Sequence, residues 1–203
     1  MNNVAECHEV LGRHAEALKL HEETLALRKA KLGPDHPDTL LSMGGVASCL
    51  VAVHRGAEAV PVIDECVQRA AGKDVLPDLL PRVIDLRLRH FEKTKDAAGC
   101  RQTVAMWEQL KRTDPDSLYK SACFRAVTSA VLRTADKSAS TAHQADAEAD
   151  RGMAWLTQAV AAGYKDAAHM KHDNDLDSLR AREDFKKLVA VLEPLQEREK
   201  AKP

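Results

Sequence analysis

The sequence predicts an all-α fold: a right-handed superhelix of about four antiparallel helix pairs, finished by a closing helix. Three observations carry that expectation. Residues 1–28 and 43–70 are two copies of one pattern, offset by 42. Met1/Met43, Val4/Val46, Ala5/Ala47, Cys7/Cys49, Arg13/Arg55, Ala15/Ala57, Glu16/Glu58, Ala17/Ala59 and Glu23/Glu65 coincide, nine identities in 28 pairs. Average composition would give roughly two by chance. Leu11/Val53, Leu18/Val60, Leu20/Val62 and Leu25/Val67 keep apolar character as well. A period of this size belongs to stacked supersecondary units, none of which can bury its apolar face alone. The second observation is composition: 44% apolar but only 3% aromatic residues, with abundant alanine and few β-branched runs, which suits close helix packing. The third is punctuation by Gly, Pro and Asp at helix-length intervals.

The elements follow in order. Asn2–Leu11 reads as a short helix closed by Gly12-Arg13. Ala15–Lys31 is a second, with Ala17, Leu18, Leu20, Leu25 and Leu27 as its apolar stripe. Gly33, Pro34 and Pro37 stop it, and Asp38 or Thr39 is placed to cap the next helix. Thr39–Val53 and Ala57–Ala71 repeat the pair, with Gly72-Lys73-Asp74 as the exit. Pro77–Lys93 and Ala97–Lys111 form a third pair, Asp96 being the N-cap. Asp114 then Pro115 stand in the N-cap and N1 order ahead of Ser117–Arg133. A polar loop, Ala135–His143, precedes Ala145–Ala162, which Gly163 ends. Residues 164–182 read as short helical turns, Glu183–Leu192 as a closing helix stopped near Pro194, and Glu197–Pro203 as frayed. The expected division is therefore repeats over 1–112 (about 1–40, 41–76 and 77–112), a repeat-like and closing segment over 113–193, and a tail over 194–203.

Asn2-Asn3-Val4-Ala5, Leu11-Gly12-Arg13, Glu16-Ala17-Leu18 and the linker Leu32-Gly33-Pro34-Asp35-His36-Pro37-Asp38-Thr39-Leu40 resemble tetratricopeptide repeats of the kinesin-light-chain type. Asp116–Val127 and Ala159–Val189 resemble the stretch that follows such repeats in large bacterial serine/threonine protein kinases. The chain has no kinase Gly-rich loop, H-R-D or D-F-G string. The resemblance thus implies a regulatory part, or a relative, of a multidomain signalling protein. Met1 aligns with Met43, inside a repeat, so the array is expected to start uncapped. An apolar patch near Val4, Val10, Leu11 and Leu18 would then invite self-association.

Thirty Lys+Arg balance 31 Asp+Glu, which leaves no basic footprint for nucleic acid. The apolar run from Thr39 to Val53 is broken by Ser42, Gly44, Gly45 and Ser48 and is too short to span a bilayer. Cys7, Cys49, Cys66, Cys100 and Cys123 contain no C-x-x-C pair and read as reduced thiols of a cytoplasmic protein.

No motif with catalytic spacing is present. Cys7, His14 and His21 fall at heptad spacing, but Gly12-Arg13 divides them between two helices, so His8, His14 and His21 read as packed rings. His169 and His172 lack a suitably spaced third ligand. Asp173, Asp175, Asp177 and Asp184 fit positions 1, 3, 5 and 12 of a calcium loop, but Ser178 replaces the turn glycine and Asp184 the bidentate glutamate. They read as caps of short helical turns. No cofactor is expected, and folding should not need a metal.

What remains is a groove. The family resemblance implies that the first helix of each pair lines a concave surface, where an asparagine near the helix start holds an extended peptide. Asn3 matches that position, with Asn2, Glu6 and Glu9 beside it, and Ser48 and Val51 continue the face in the second repeat. Capping of the first helix is an equal alternative for Asn2 and Asn3. Gly44 and Gly45 stand where the second repeat would carry its asparagines. The expected function is a non-catalytic protein-interaction scaffold that binds a protein or peptide, with neither nucleic acid nor membrane as partner. The alternatives are a structural spacer that packs on another domain and, behind it, a metal-dependent enzyme.

Overall fold

The computed structural model describes residues 12–73 and 77–200, with 194–200 as backbone alone. Among the described residues there are ten α-helices, one 3₁₀ turn and no strand. They are α1 (His14–Leu32), α2 (Pro37–Ala52), α3 (Gly56–Ala70), α4 (Leu79–Lys93), α5 (Ala97–Gln109), α6 (Pro115–Ala135), α7 (Ala139–Ala161), α8 (Ala167–His172), the 3₁₀ turn Asn174–Leu176, α9 (Asp177–Arg180) and α10 (Glu183–Lys200). The chain divides into two compact units inside α4, Met1–His90 and Phe91–Pro203.

In the first unit α1 packs on α2 and α2 on α3. The sequence repeat is a structural repeat here. Ala17 and Ala59 are both fully buried; Met43 and Val46 are buried, and their counterparts Met1 and Val4 lie outside the described residues. His21 occupies the position of Ile63, and both are buried. Leu20 and Val62 are equivalent too, but half-buried rather than buried, because they sit at the margin of the stripe. Leu18 is buried, which corrects its placement in an exposed patch, whereas Val4, Val10 and Leu11 lie outside the described residues.

The turns repeat as well. Gly12, His54 and Lys95 hold φ of 71°, 63° and 56°, one left-handed residue just ahead of each of α1, α3 and α5. After His54 and Lys95 the chain closes with the same bond, Arg55 N–H to Leu50 O at 2.8 Å and Asp96 N–H to Phe91 O at 2.9 Å. This is the 6→1 bond of a Schellman-type helix end, which satisfies carbonyls that the helix leaves open.

The linker between α1 and α2 is built residue by residue. Gly33 takes φ 88°, and Thr39 Oγ1 donates to its carbonyl at 2.9 Å. His36, not Asp38 or Thr39, is the N-cap: its Nδ1 accepts from Asp38 N–H at 3.1 Å. Pro37 occupies the first turn, where its missing N–H costs nothing. Arg28 of α1 donates to Asp38 O and to Ser42 Oγ, each at 2.8 Å. Asp35 pairs with Arg69 at 3.0 Å, and Arg69 also holds Glu65, which Lys29 reaches from α1. Burial would lift the Glu65 carboxyl, but Arg69 and Lys29 together hold it below the usual range.

In the second unit α6 packs on α5 and α7, and the short elements after Gly163 fold back on α6 and α7. Asp96, Asp114, Ser138, Asp166 and Asp173 all cap the helical element that follows them. The cap at Ser138 starts α7 at Ala139, so the expected loop Ala135–His143 is helical in its second half. Asp136 makes this early start affordable by accepting from the hydroxyls of Ser138 and Thr141. At the other end α10 runs through Pro194 to Lys200 rather than stopping near Leu192. A proline removes one helical N–H donor without forbidding continuation, and α3 likewise carries Pro61 in its interior with the ring exposed.

Gly44 and Gly45 are explained by packing. A Cβ on Gly45 would lie 2.7 Å from the buried His21 ring of α1, and one on Gly44 would lie 2.8 Å from Leu79 and 3.0 Å from Arg82 of α4. Alanine is the better helix former by about 1 kcal/mol, yet overpacking costs about 1–3 kcal/mol. Gly45→Ala is therefore expected to lower stability, and the denaturant midpoint of the full chain measures it. A midpoint that rises would show that the His21 ring gives way freely.

Candidate functional site

The first unit carries a small apolar recess where α2 faces the start of α4. Leu41, Pro77, Asp78, Leu79 and Arg82 line it, with a volume of about 200 Å³. Gly44 has no side chain, so Leu79 and Arg82 lie directly on the α2 backbone beside the recess. Helical spacing puts Leu41, Gly44, Gly45 and Ser48 on one side of α2. Ser48 and Val51, read from the sequence as groove residues, are half-buried on the same helix. Asn2, Asn3, Glu6 and Glu9 lie outside the described residues.

Charge around the recess is uneven. Arg87 of α4 is buried and bound to Asp64 of α3 at 2.8 Å, and Arg89 lies 3.6 Å from Asp85. Arg82, by contrast, is exposed and makes no ion pair or side-chain hydrogen bond among the described residues. Neither Leu41 nor Arg82 stood out in the sequence. The glycine pair was the available signal, since a stretch of helix with no side chains invites close approach of a neighbour.

The second unit holds two polar constellations. In one, Arg125 of α6 donates to Glu108 of α5 at 2.7 and 3.0 Å and to Glu148 of α7 at 2.6 Å. Trp155 Nε1 adds a bond to Glu108 at 2.9 Å. Burial would lower the Arg125 pKa, but the two carboxylates outweigh it and hold it above the ordinary value. In the other, Asp173 Oδ2 accepts from Tyr119 OH at 2.8 Å and from Cys123 Sγ at 3.6 Å. His169 Nε2 lies 3.4 Å from the same oxygen. Tyr119 stacks on Tyr164 with ring centroids 4.2 Å apart. Burial, then the nearby Asp173 and Asp175, push the Cys123 thiol well above its ordinary pKa, so it is protonated and a poor nucleophile. The calcium-loop set does not assemble as such: Asp177 pairs with Arg180, and Asp184 with Arg182.

Cys49, Cys66, Cys100 and Cys123 are buried thiols outside any disulfide, and burial pushes Cys66 up to about 11. Among the described residues no helix is long and apolar enough to cross a membrane.

Helix pairs with a left-handed turn residue, small buried positions at a fixed period and capped linkers define a tetratricopeptide-like repeat fold, a class whose stacked units present extended binding surfaces. Residues 1–70 match the family model described as tetratricopeptide repeat. Two crystal structures of nearly identical TPR-like repeats, from a protein described as a kinesin light chain of Podosopora anserina, are similar in fold. Their TM-scores are 0.62 and 0.59, each at 18% identity, covering 99% of this chain and 95% of theirs. No curated protein matches the chain.

Proposed function

We propose that this protein is a non-catalytic interaction scaffold that captures a peptide segment of a partner along α2 and α4. The observation that carries the reading is Arg82, a guanidinium without an ion pair among the described residues, at the mouth of an apolar recess. Such a recess takes an aliphatic or aromatic side chain, and the guanidinium beside it takes a carboxylate, so the two together fix register. Ser48 and Val51 extend the same helix for further contact. Asn2, Asn3, Glu6 and Glu9, ahead of the described residues, would continue the surface. The resemblance of Asp116–Val127 and Ala159–Val189 to bacterial kinase tails supports a regulatory, kinase-associated setting. Four buried thiols outside any disulfide support a reducing, cytoplasmic location.

Selection of random displayed peptides on the full chain tests this. Enriched sequences are expected to place an apolar residue next to Asp or Glu. Arg82→Glu should weaken the selected peptide by about tenfold, the worth of one charge-assisted hydrogen bond, and Leu41→Asp should weaken it as well. Selection of nothing, or a peptide indifferent to both substitutions, would favour a spacer role.

A further inference from the structure

The recess where α2 faces the start of α4 is bordered by a carboxylate as well as a guanidinium. Asp78 lines it together with Leu41, Pro77, Leu79 and Arg82. Asp78 is exposed, and its side chain makes no ion pair or hydrogen bond among the described residues. Its carbonyl accepts from Arg82 N–H at 3.3 Å, so the two residues stand one helical turn apart. An acid four positions ahead of a base is the order and spacing that pairs best on a helix. No such pair joins Asp78 to Arg82 among the described residues. The guanidinium is engaged elsewhere: a Cβ on Gly44 would lie 3.0 Å from Arg82 Nη2. The cation is thus seated against the bare α2 backbone, and the carboxylate stays at the start of α4. Two opposite charges, neither spent on the other, border one apolar recess.

We propose that the recess takes a peptide segment of mixed charge: an apolar residue in the recess, a carboxylate on Arg82, and a lysine or arginine on Asp78. This rests on the scaffold reading above and adds to it the second charge. A purely acidic segment is opposed by Asp78, one helical turn from the guanidinium it has to reach. A purely basic segment is opposed by Arg82 in the same way. Both charges therefore select against wrong ligands as well as for the right one. Because they differ in sign, they also fix the direction in which the segment lies. Exposed ion pairs are individually weak, so the apolar residue supplies the larger share of affinity and the charges supply the choice. Asp64 and Asp85 do not offer a substitute for Asp78, since Arg87 and Arg89 occupy them.

Two selections from one library of random displayed peptides are the test, one on the full unaltered chain and one on the full Asp78→Lys chain. The first pool is expected to carry both an acidic and a basic residue around an apolar one. The second is expected to keep the acidic residue and lose the basic one. For one peptide of the first pool, Asp78→Asn should weaken binding about threefold, the worth of an exposed ion pair. The same substitution should not change binding of that peptide once its basic residue is replaced by alanine. Asparagine suits a helix start as well as aspartate does, and an unchanged circular dichroism spectrum checks the fold. Peptides that need Leu41 and Arg82 but ignore Asp78 overturn this proposal and leave the scaffold reading standing. Selection of nothing on the unaltered chain overturns both.

Discussion

Replacing Arg125 by alanine is expected to destabilise the second unit by about 3–5 kcal/mol, the usual cost of removing one partner from a buried ion pair. Arg125 joins three helices: its side chain is 12% exposed, and it holds Glu108 of α5 and Glu148 of α7. Glu148 is 7% exposed at its side chain, and Arg101 and Arg151 approach it only to 3.7 and 3.9 Å. Removal of Arg125 therefore strands a desolvated carboxylate and leaves Glu108 with the Trp155 N–H alone. The physical claim is about imbalance rather than attraction. A double replacement, Arg125→Leu with Glu148→Leu, should cost less than Arg125→Ala, because no charge is left unpaired. Urea unfolding of the two variants decides it. Equal losses would mean that the side-chain volume of Arg125 matters and its charge does not.

Ala17→Glu and Ala59→Glu should each cost more than about 3 kcal/mol, by burying an unpaired charge in a close helix contact. Both alanines have no exposed surface, and they are repeat equivalents. A second identical pair provides the control: Ala15 and Ala57 also coincide in the repeat but are exposed. Ala15→Glu and Ala57→Glu should stay within about 0.5 kcal/mol of the unaltered chain. Thermal melts of the four variants would separate identity that reflects packing from identity that does not. A matched response within each pair is what one repeat in two copies requires.

Much of the helix punctuation was legible because its determinants are local. Pro37 can open a helix, Gly33 can take a positive φ, and an aspartate before a short helix can accept its free N–H. Those preferences act over a few residues, and Asp96, Asp114 and Asp173 cap as their neighbours dictate. The period of 42 added one piece of long-range information, since equal sequence in equal positions implies equal burial. Ala17 and Ala59 followed from it.

Other features depend on which helix faces lie opposite each other. Gly44 and Gly45 looked like lost ligands for a peptide and are contact points, one for α4 and one for α1. Nothing local marks His54 or Lys95 as left-handed residues; the closing bonds of their turns impose it. Glu148 reads as one more surface charge of a polar helix until Arg125 meets it. Cys123 and Asp173 stand fifty positions apart, in segments whose patterns concern only their own helices. The sequence by itself determined the helix pairs, their period and the aspartate caps, because turn chemistry and apolar spacing are read over one or two helical turns. Only the tertiary structure decided which side chains share a recess, a buried charge or a hydrogen-bonded cluster. Rotation and stacking of helices bring distant residues together, and those depend on the packing of all of them at once.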